Sequence, residues 1–543
     1  MERKPYTMHT DYDLFYMKIC RDLYKIINKL VDEYSGTVDV GEEECRELAW
    51  VFTAYFEDRV NEIGFWQSLI TWHKKLFGKR LPFFDARELQ QQEEEYEDIL
   101  PADIYYLAYI TYLQLMNDDE AKTLVYFNKP FFIHLSEKVF NYLDKKEEVL
   151  TTEFYESFLI PAEDYIEFKQ QLDWFTFSNY LTGISFTKKF EAVEWRLLEE
   201  NTDKAMMGPM MYGERDRLLF EVPSAYTAIF PVDLLAEAMR CSDTKKEEIH
   251  NLKWRPHGIF HVQQETGTHY RFLHTATGEE FDILKTSFNQ VFESSKEGEY
   301  WITTVAGWND EYYISGLCLP SPYEGEEIYH RNIEMQHSFQ KHFSPYRRHI
   351  EEMALNFQKE AVRFFGSDFV IFDAGNKLQE KLNEFNQWYF ETVTDKTNLA
   401  KDIKPAAFLL PEELLTVSGI VLFLPPVDNM QFLTKHQQLL GILQTKHTDK
   451  VNLPEIEEVL PMLFDDGVGA DYWFYIKKNF SLPNLSLFLK CPADTKEDFE
   501  ALLRIYRPAD FSPLRLPRFT SFTSERISHQ KIREIFSKKQ HKV

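Results

Sequence analysis

Trp254–Asp282, WRPHGIFHVQQETGTHYRFLHTATGEEFD, is where a chain of helical periodicity turns to strand-type alternation. Successive side chains of a strand point to opposite faces. One face of the first strand then carries Trp254, Pro256, Gly258, Phe260 and Val262, which suits a core. The other carries Arg255, His257, Ile259, His261 and Gln263. Glu265–Thr268 supplies turn chemistry around Gly267. The chain returns with Tyr270, Phe272 and His274 on one face, and Arg271, Leu273 and Thr275 on the other. A second turn at Ala276–Gly278 leads into a third strand over 279–285. Tyr300–Ala306 and Glu311–Leu319, rich in β-branched and aromatic residues, add a fourth and a fifth. Five short antiparallel strands in about seventy residues predict a small closed or nearly closed barrel, because closure removes exposed edges.

Alternation also nominates a surface. Arg255, His257, His261 and Arg271 fall opposite the apolar set, so they are the candidate partner-binding residues. Arginine makes planar, two-pronged contacts to carboxylate or phosphate. The competing reading pairs the arginines with Glu279, Glu280 or Asp282 of the neighbouring strand.

Around this segment the chain reads as helices. Apolar residues recur at helical spacing over 13–34, 42–62 and 66–77, and Ile104–Met116 is apolar nearly all round, as a buried helix would be. Further helices are expected at 131–143, 163–181, 187–200, 231–240, 328–366, 376–392, 430–443, 455–464, 470–479 and 498–506. Met206–Gly213 reads as a methionine-rich loop and Ser242–Glu248 as a charged connector. Thr416–Leu424 reads as a lone strand or buried segment. The fold class is α+β, predominantly helical. Its expected organisation is a helical domain over 1–245, the barrel over 249–322, a mainly helical domain with minor strand content over 326–507, and a basic, aromatic tail over 508–543.

The 543 residues are 44% hydrophobic and 16% aromatic, with a formal charge of −27. Such a charge disfavours general coating of nucleic acid. The tail runs against it, interleaving cations with Phe511, Phe519, Phe522 and Phe536, and could dock on the acidic body or contact nucleic acid. Five cysteines show no C-x-x-C spacing, no apolar run reaches the ~20 residues of a membrane helix, and Met1–Thr10 has no signal core. A cytoplasmic protein without membrane contact is expected.

No P-loop, G-x-G-x-x-G, H-E-x-x-H or G-x-S-x-G motif is present. His250, His257, His261, His269 and His274 invite a metal reading. His257 and His261, however, stand ~13 Å apart along one strand, too far for zinc ligands at ~2 Å. No catalytic residue, metal or cofactor is therefore assigned. The favoured function is a non-enzymatic interaction or scaffold protein, with a protein partner on the barrel face or on helical surfaces. A nucleic-acid-associated factor using barrel and tail, and a divergent metal-dependent hydrolase using the strand histidines, are the alternatives.

Three stretches carry a likeness: ELAWVFTAYFEDRVNEIGFW (Glu47–Trp66), HKKLFGKRLPFF (His73–Phe84) and RPHGIFHV…YRFLHTATGEEFDI (Arg255–Ile283). Over most of its length the chain resembles an uncharacterised family of bacterial proteins known only as a domain of unknown function. The resemblance implies a bacterial, cytoplasmic protein and assigns no activity or site residue.

Overall fold

The computed structural model describes residues 10–517 except 117–123, 147–148, 201, 226–227, 289–296, 324–326, 329–340, 394–404, 406, 427, 429, 446–452 and 466. The protein is predominantly helical with a five-stranded sheet in its middle. Two compact units are built from non-consecutive pieces. The first takes residues 1–255, 306–317 and 489–512; the second takes 256–305, 318–488 and 513–543.

The first unit is a helical assembly. Helix α1 (Asp11–Glu33) starts at a reciprocal capping box between Thr10 and Asp13 and buries Tyr16, Ile19, Leu23, Ile27 and Leu30. This stripe packs on α2 (Glu42–Val60), which leads through Gly64, at φ +105°, into α3 (Phe65–Phe77). After α4 (Ala86–Glu95), α5 (Pro101–Met116) is buried nearly all round, as its composition predicts. Helices α6 (Pro130–Leu143), α7 (Phe154–Phe158), α8 (Tyr165–Ser178) and α9 (Gly183–Glu199) follow. Helix α10 (Lys204–Glu221) runs straight through the stretch expected to be a methionine-rich loop, with Pro209 inside it. Asp203 caps its start, and Leu218, Leu219 and Phe220 bury its far end, so tertiary packing outweighs the amide lost at the proline. The expected connector after α11 (Pro231–Ala238) is also helical: Ser242 caps α12 (Asp243–Asn251).

Later pieces of chain complete this unit. From the helix Lys496–Tyr506, Asp498 accepts the Phe83 amide at 2.6 Å and pairs with Lys79 at 2.5 Å. The Phe127 amide donates to the Lys490 carbonyl at 2.8 Å, and the Trp308 indole donates to the Glu163 carbonyl at 3.0 Å.

The five strands are β1 (His257–Glu265), β2 (His269–His274), β3 (Glu280–Leu284), β4 (Tyr300–Trp308) and β5 (Glu311–Pro320), in the order β1-β2-β3-β5-β4. β1 pairs antiparallel with both β2 and β4. Phe260, Val262, Phe272 and His274 are fully buried, as alternation predicts. Ile259 departs from it: counted on the polar face, it is buried beside Ile328 with Tyr300, Ile302 and Tyr323 around it.

In the second unit the expected lone strand is the centre of a small antiparallel sheet. β7 (Ile420–Phe423) lies between β6 (Phe369–Phe372) and β8 (Gln431–Leu433). β8 takes the first turn of the helix expected at 430–443, which begins instead at His436. Helices Ser344–Phe365 and Gly375–Thr392 cover this sheet through Phe357, Ala361, Leu378, Leu382 and Phe385.

Candidate interaction surface

The four residues expected to share one exposed face do not. Arg255 precedes β1, after a 3-10 turn over Leu252–Trp254, and is 3% exposed. Its guanidinium donates to Asp216 at 2.8 Å and to the Ser315 hydroxyl at 2.6 Å, and lies 3.8 Å over the Phe220 ring. Lys169 reaches the same carboxylate at 2.6 Å, and Tyr165 and Ser315 hydroxyls meet at 2.6 Å. Burial by itself would favour a neutral Asp216, but Arg255 and Lys169 outweigh it and hold the carboxyl well below its usual range. Gly316, at φ +65°, makes room: a Cβ there would stand 2.7 Å from the Asp216 carboxylate. Arg255 is a structural charge in a buried network that also brings Glu221 within 3.7 Å.

The other three candidates stay on the outer side of the strands, each met by the residue directly opposite. His257 Nδ1 lies 2.8 Å from the Thr304 hydroxyl, its partner across β1 and β4. The His261 ring lies on its register partner Tyr300, with centroids 4.7 Å apart. Arg271 donates two bonds to its register partner Asp282, at 2.8 and 2.9 Å. The cross-strand pairing weighed for the arginines thus holds for Arg271.

The remaining histidines of this group also have structural neighbours. His250 Nδ1 is 2.7 Å from Asp233, which also accepts from Lys253 at 2.5 Å. His269 Nδ1 is 2.8 Å from the Thr268 hydroxyl. His274 is fully buried; its Nδ1 accepts the Thr277 amide and its Nε2 faces the His257 carbonyl at 3.3 Å. Desolvation pushes its pKa down to about 4. Gly258 permits this seat, since a Cβ there would lie 2.4 Å from His274 Nε2. Among the described residues, no group of three or more His, Cys, Asp or Glu could hold a metal ion.

The basic tail is described as far as Pro517. Within the second unit Arg515 pairs with Asp428, and Leu516 packs beside Phe343, Tyr346 and Ile350. Phe519, Phe522 and Phe536 lie outside the described residues.

A different surface of the first unit is open. A cleft of about 380 Å³ lies between α2 and α9. Trp50, Leu115, Phe177 and Ile184 form its apolar floor, and Glu43, Glu44, Glu47 and Glu191 its rim. The one lining ammonium, Lys188, donates to the carbonyls of Gln114 and Leu115 at 2.8 Å each, closing the end of α5. Ile184, Lys188, Glu191, Trp195 and Leu198 recur at spacings of four and three, so one stripe of α9 leaves the cleft and runs on along the helix. Trp195 is 67% and Leu198 50% exposed. No helix among the described residues is long and apolar enough to cross a membrane.

The stretches that carry the likeness have an internal role. In Glu47–Trp66, Asp58 accepts the amides of Gly64, Phe65 and Trp66 at 2.6–3.1 Å and the Tyr180 hydroxyl at 2.7 Å, so it caps α3 from a distance. Trp66, Tyr55 and, from His73–Phe84, Arg80 converge on buried Asp103. No curated protein and no solved structure matches the chain. Family likeness reaches residue 253 and so includes these two stretches but stops short of Arg255–Ile283: residues 1–253 match the model of the family described as a protein of unknown function, DUF3843.

Proposed function

We propose that the chain is a non-enzymatic interaction protein that binds another polypeptide on the exposed face of α9 and in the cleft beside it. The observation that carries this reading is the stripe itself. A tryptophan 67% exposed, in line with an apolar-floored cleft, is the kind of anchor that dominates protein interfaces. The strand face is the weaker choice, because His257, His261 and Arg271 are each engaged across the sheet. The pairing of β1 with both β2 and β4 supports a closed small barrel, which would serve as a rigid mount. Scattered cysteine spacing supports a reducing, cytoplasmic setting.

A photo-crosslinking amino acid at Thr187, an exposed residue lining the cleft, tests the role in cells that make the protein. A discrete adduct with one other polypeptide, lost on Trp195→Ser, is expected. No adduct at Thr187, with an adduct from the same probe at Lys285 beside the strands, would move the binding surface to the sheet.

A further inference from the structure

Resting on that reading, we infer that the partner presents a basic amphipathic helix, laid along α9 with its apolar face on Trp195, Leu198 and the cleft floor. Three observations define this occupant. The stripe from Ile184 to Leu198 is on the order of 20 Å long at 1.5 Å per residue, which matches three to four turns of a docked helix. The floor supplies Trp50, Leu115, Phe177 and Ile184 for apolar side chains spaced three and four apart. The rim supplies carboxylates from both sides, Glu43, Glu44 and Glu47 from α2 and Glu191 from α9. Lysine or arginine flanking the apolar face of an incoming helix would meet them, its stem lying on the floor and its charge at the rim.

The same features disfavour other occupants. Phosphate backbones meet carboxylates here, so nucleic acid is repelled. A second copy docking by the same face about a two-fold axis would set these glutamates against one another. A partner of opposite charge complements the rim.

The probe is a fluorescein-labelled 18-residue peptide of leucine and lysine in helical alternation, titrated into the full chain and followed by anisotropy. A leucine–glutamate peptide of the same pattern and a lysine-only peptide are the comparisons. The leucine–lysine peptide should bind, the lysine-only peptide at least tenfold more weakly, and the leucine–glutamate peptide not at all. Trp195→Ser should weaken binding at least tenfold, and Glu47→Lys with Glu191→Lys should abolish it. Glu380→Lys with Glu384→Lys makes the same charge change on the exposed side of a helix in the second unit and should leave affinity within about threefold. Equal loss in that control, equal binding of the lysine-only peptide, or no effect of Trp195→Ser would overturn the inference. Trp195 is exposed, so its variant decides the matter even if the double glutamate variant unfolds. Should the peptide fail while the Thr187 probe still captures a polypeptide, the partner's chemistry is wrong and the interaction role stands. Should both fail, the role itself falls.

Discussion

The outer face of the strands and the outer face of α9 bring their side chains to opposite ends. On the strands, Arg271, His257 and His261 each find a partner directly across, in Asp282, Thr304 and Tyr300. On α9, Trp195 and Leu198 continue a cleft-lining stripe with more than a third of their surface exposed. The difference lies in backbone geometry. A paired strand places a neighbour about 5 Å from every outward side chain, so a polar face satisfies itself. A helix offers only its own residues three and four positions away, and an uncovered stripe waits for another element.

The sharpest test of this contrast compares two arginines once placed on the same face. Arg255→Ala should lower stability by about 3–5 kcal/mol, because Lys169 and Asp216 remain buried in a broken network. Chemical denaturation monitored by tryptophan fluorescence would measure it, and a loss under about 1 kcal/mol would mean the network tolerates the gap. Arg255 departs from the face that alternation assigns it for a physical reason. Alternation counted from Trp254 begins three residues ahead of β1, which starts at His257, and nothing local reveals that Asp216 and Lys169 converge there from α10 and α8. The strands themselves were legible because turn residues and β-branched runs are local signals. So was Ile104–Met116. The helix through Met206–Gly213 was not, since glycine and proline argue against it locally and the burial of Leu218–Phe220 decides in its favour. β6 and β8 leave no local signal because each has four residues or fewer and takes its identity from β7. Residues 187–200 read correctly as helical, yet no sequence pattern says which face of a helix its neighbours leave bare.

A second measurement asks whether both units share one acid sensitivity. His73, in the first unit, and His274, in the second, are fully buried, and desolvation holds them at about 3 and about 4. Each is neutral when folded but binds a proton when unfolded, near pH 6.5. The stability they support is complete above pH 6.5 and is lost as pH falls towards 4. Each pKa unit of depression corresponds to about 1.4 kcal/mol at most. His274→Phe should reduce the slope of stability against pH in this window by about half if these two histidines dominate. An unchanged slope would assign the acid response to other groups.

The smallest expected effect is Arg271→Ala. Its pair with Asp282 is solvent-exposed on both sides, so the loss should be far smaller than that of Arg255→Ala and shrink further in high salt. A loss rivalling that of Arg255→Ala would erase the distinction between a self-satisfied surface pair and a buried network.

The clasp formed by Asp498 on Lys79 and Phe83 has a consequence for how the protein is made. Residues 1–253 leave the ribosome as a polypeptide whose Phe83 and Phe127 amides lack their native acceptors, because Asp498 and Lys490 are not yet synthesised. At ~5–20 residues per second the wait is on the order of tens of seconds. Throughout it, the nascent helices must be held in solution without their final seal. The stretch recognised as a family is thus shorter than the body it builds, and a gene fragment cut at its boundary would encode an assembly lacking its closing pieces.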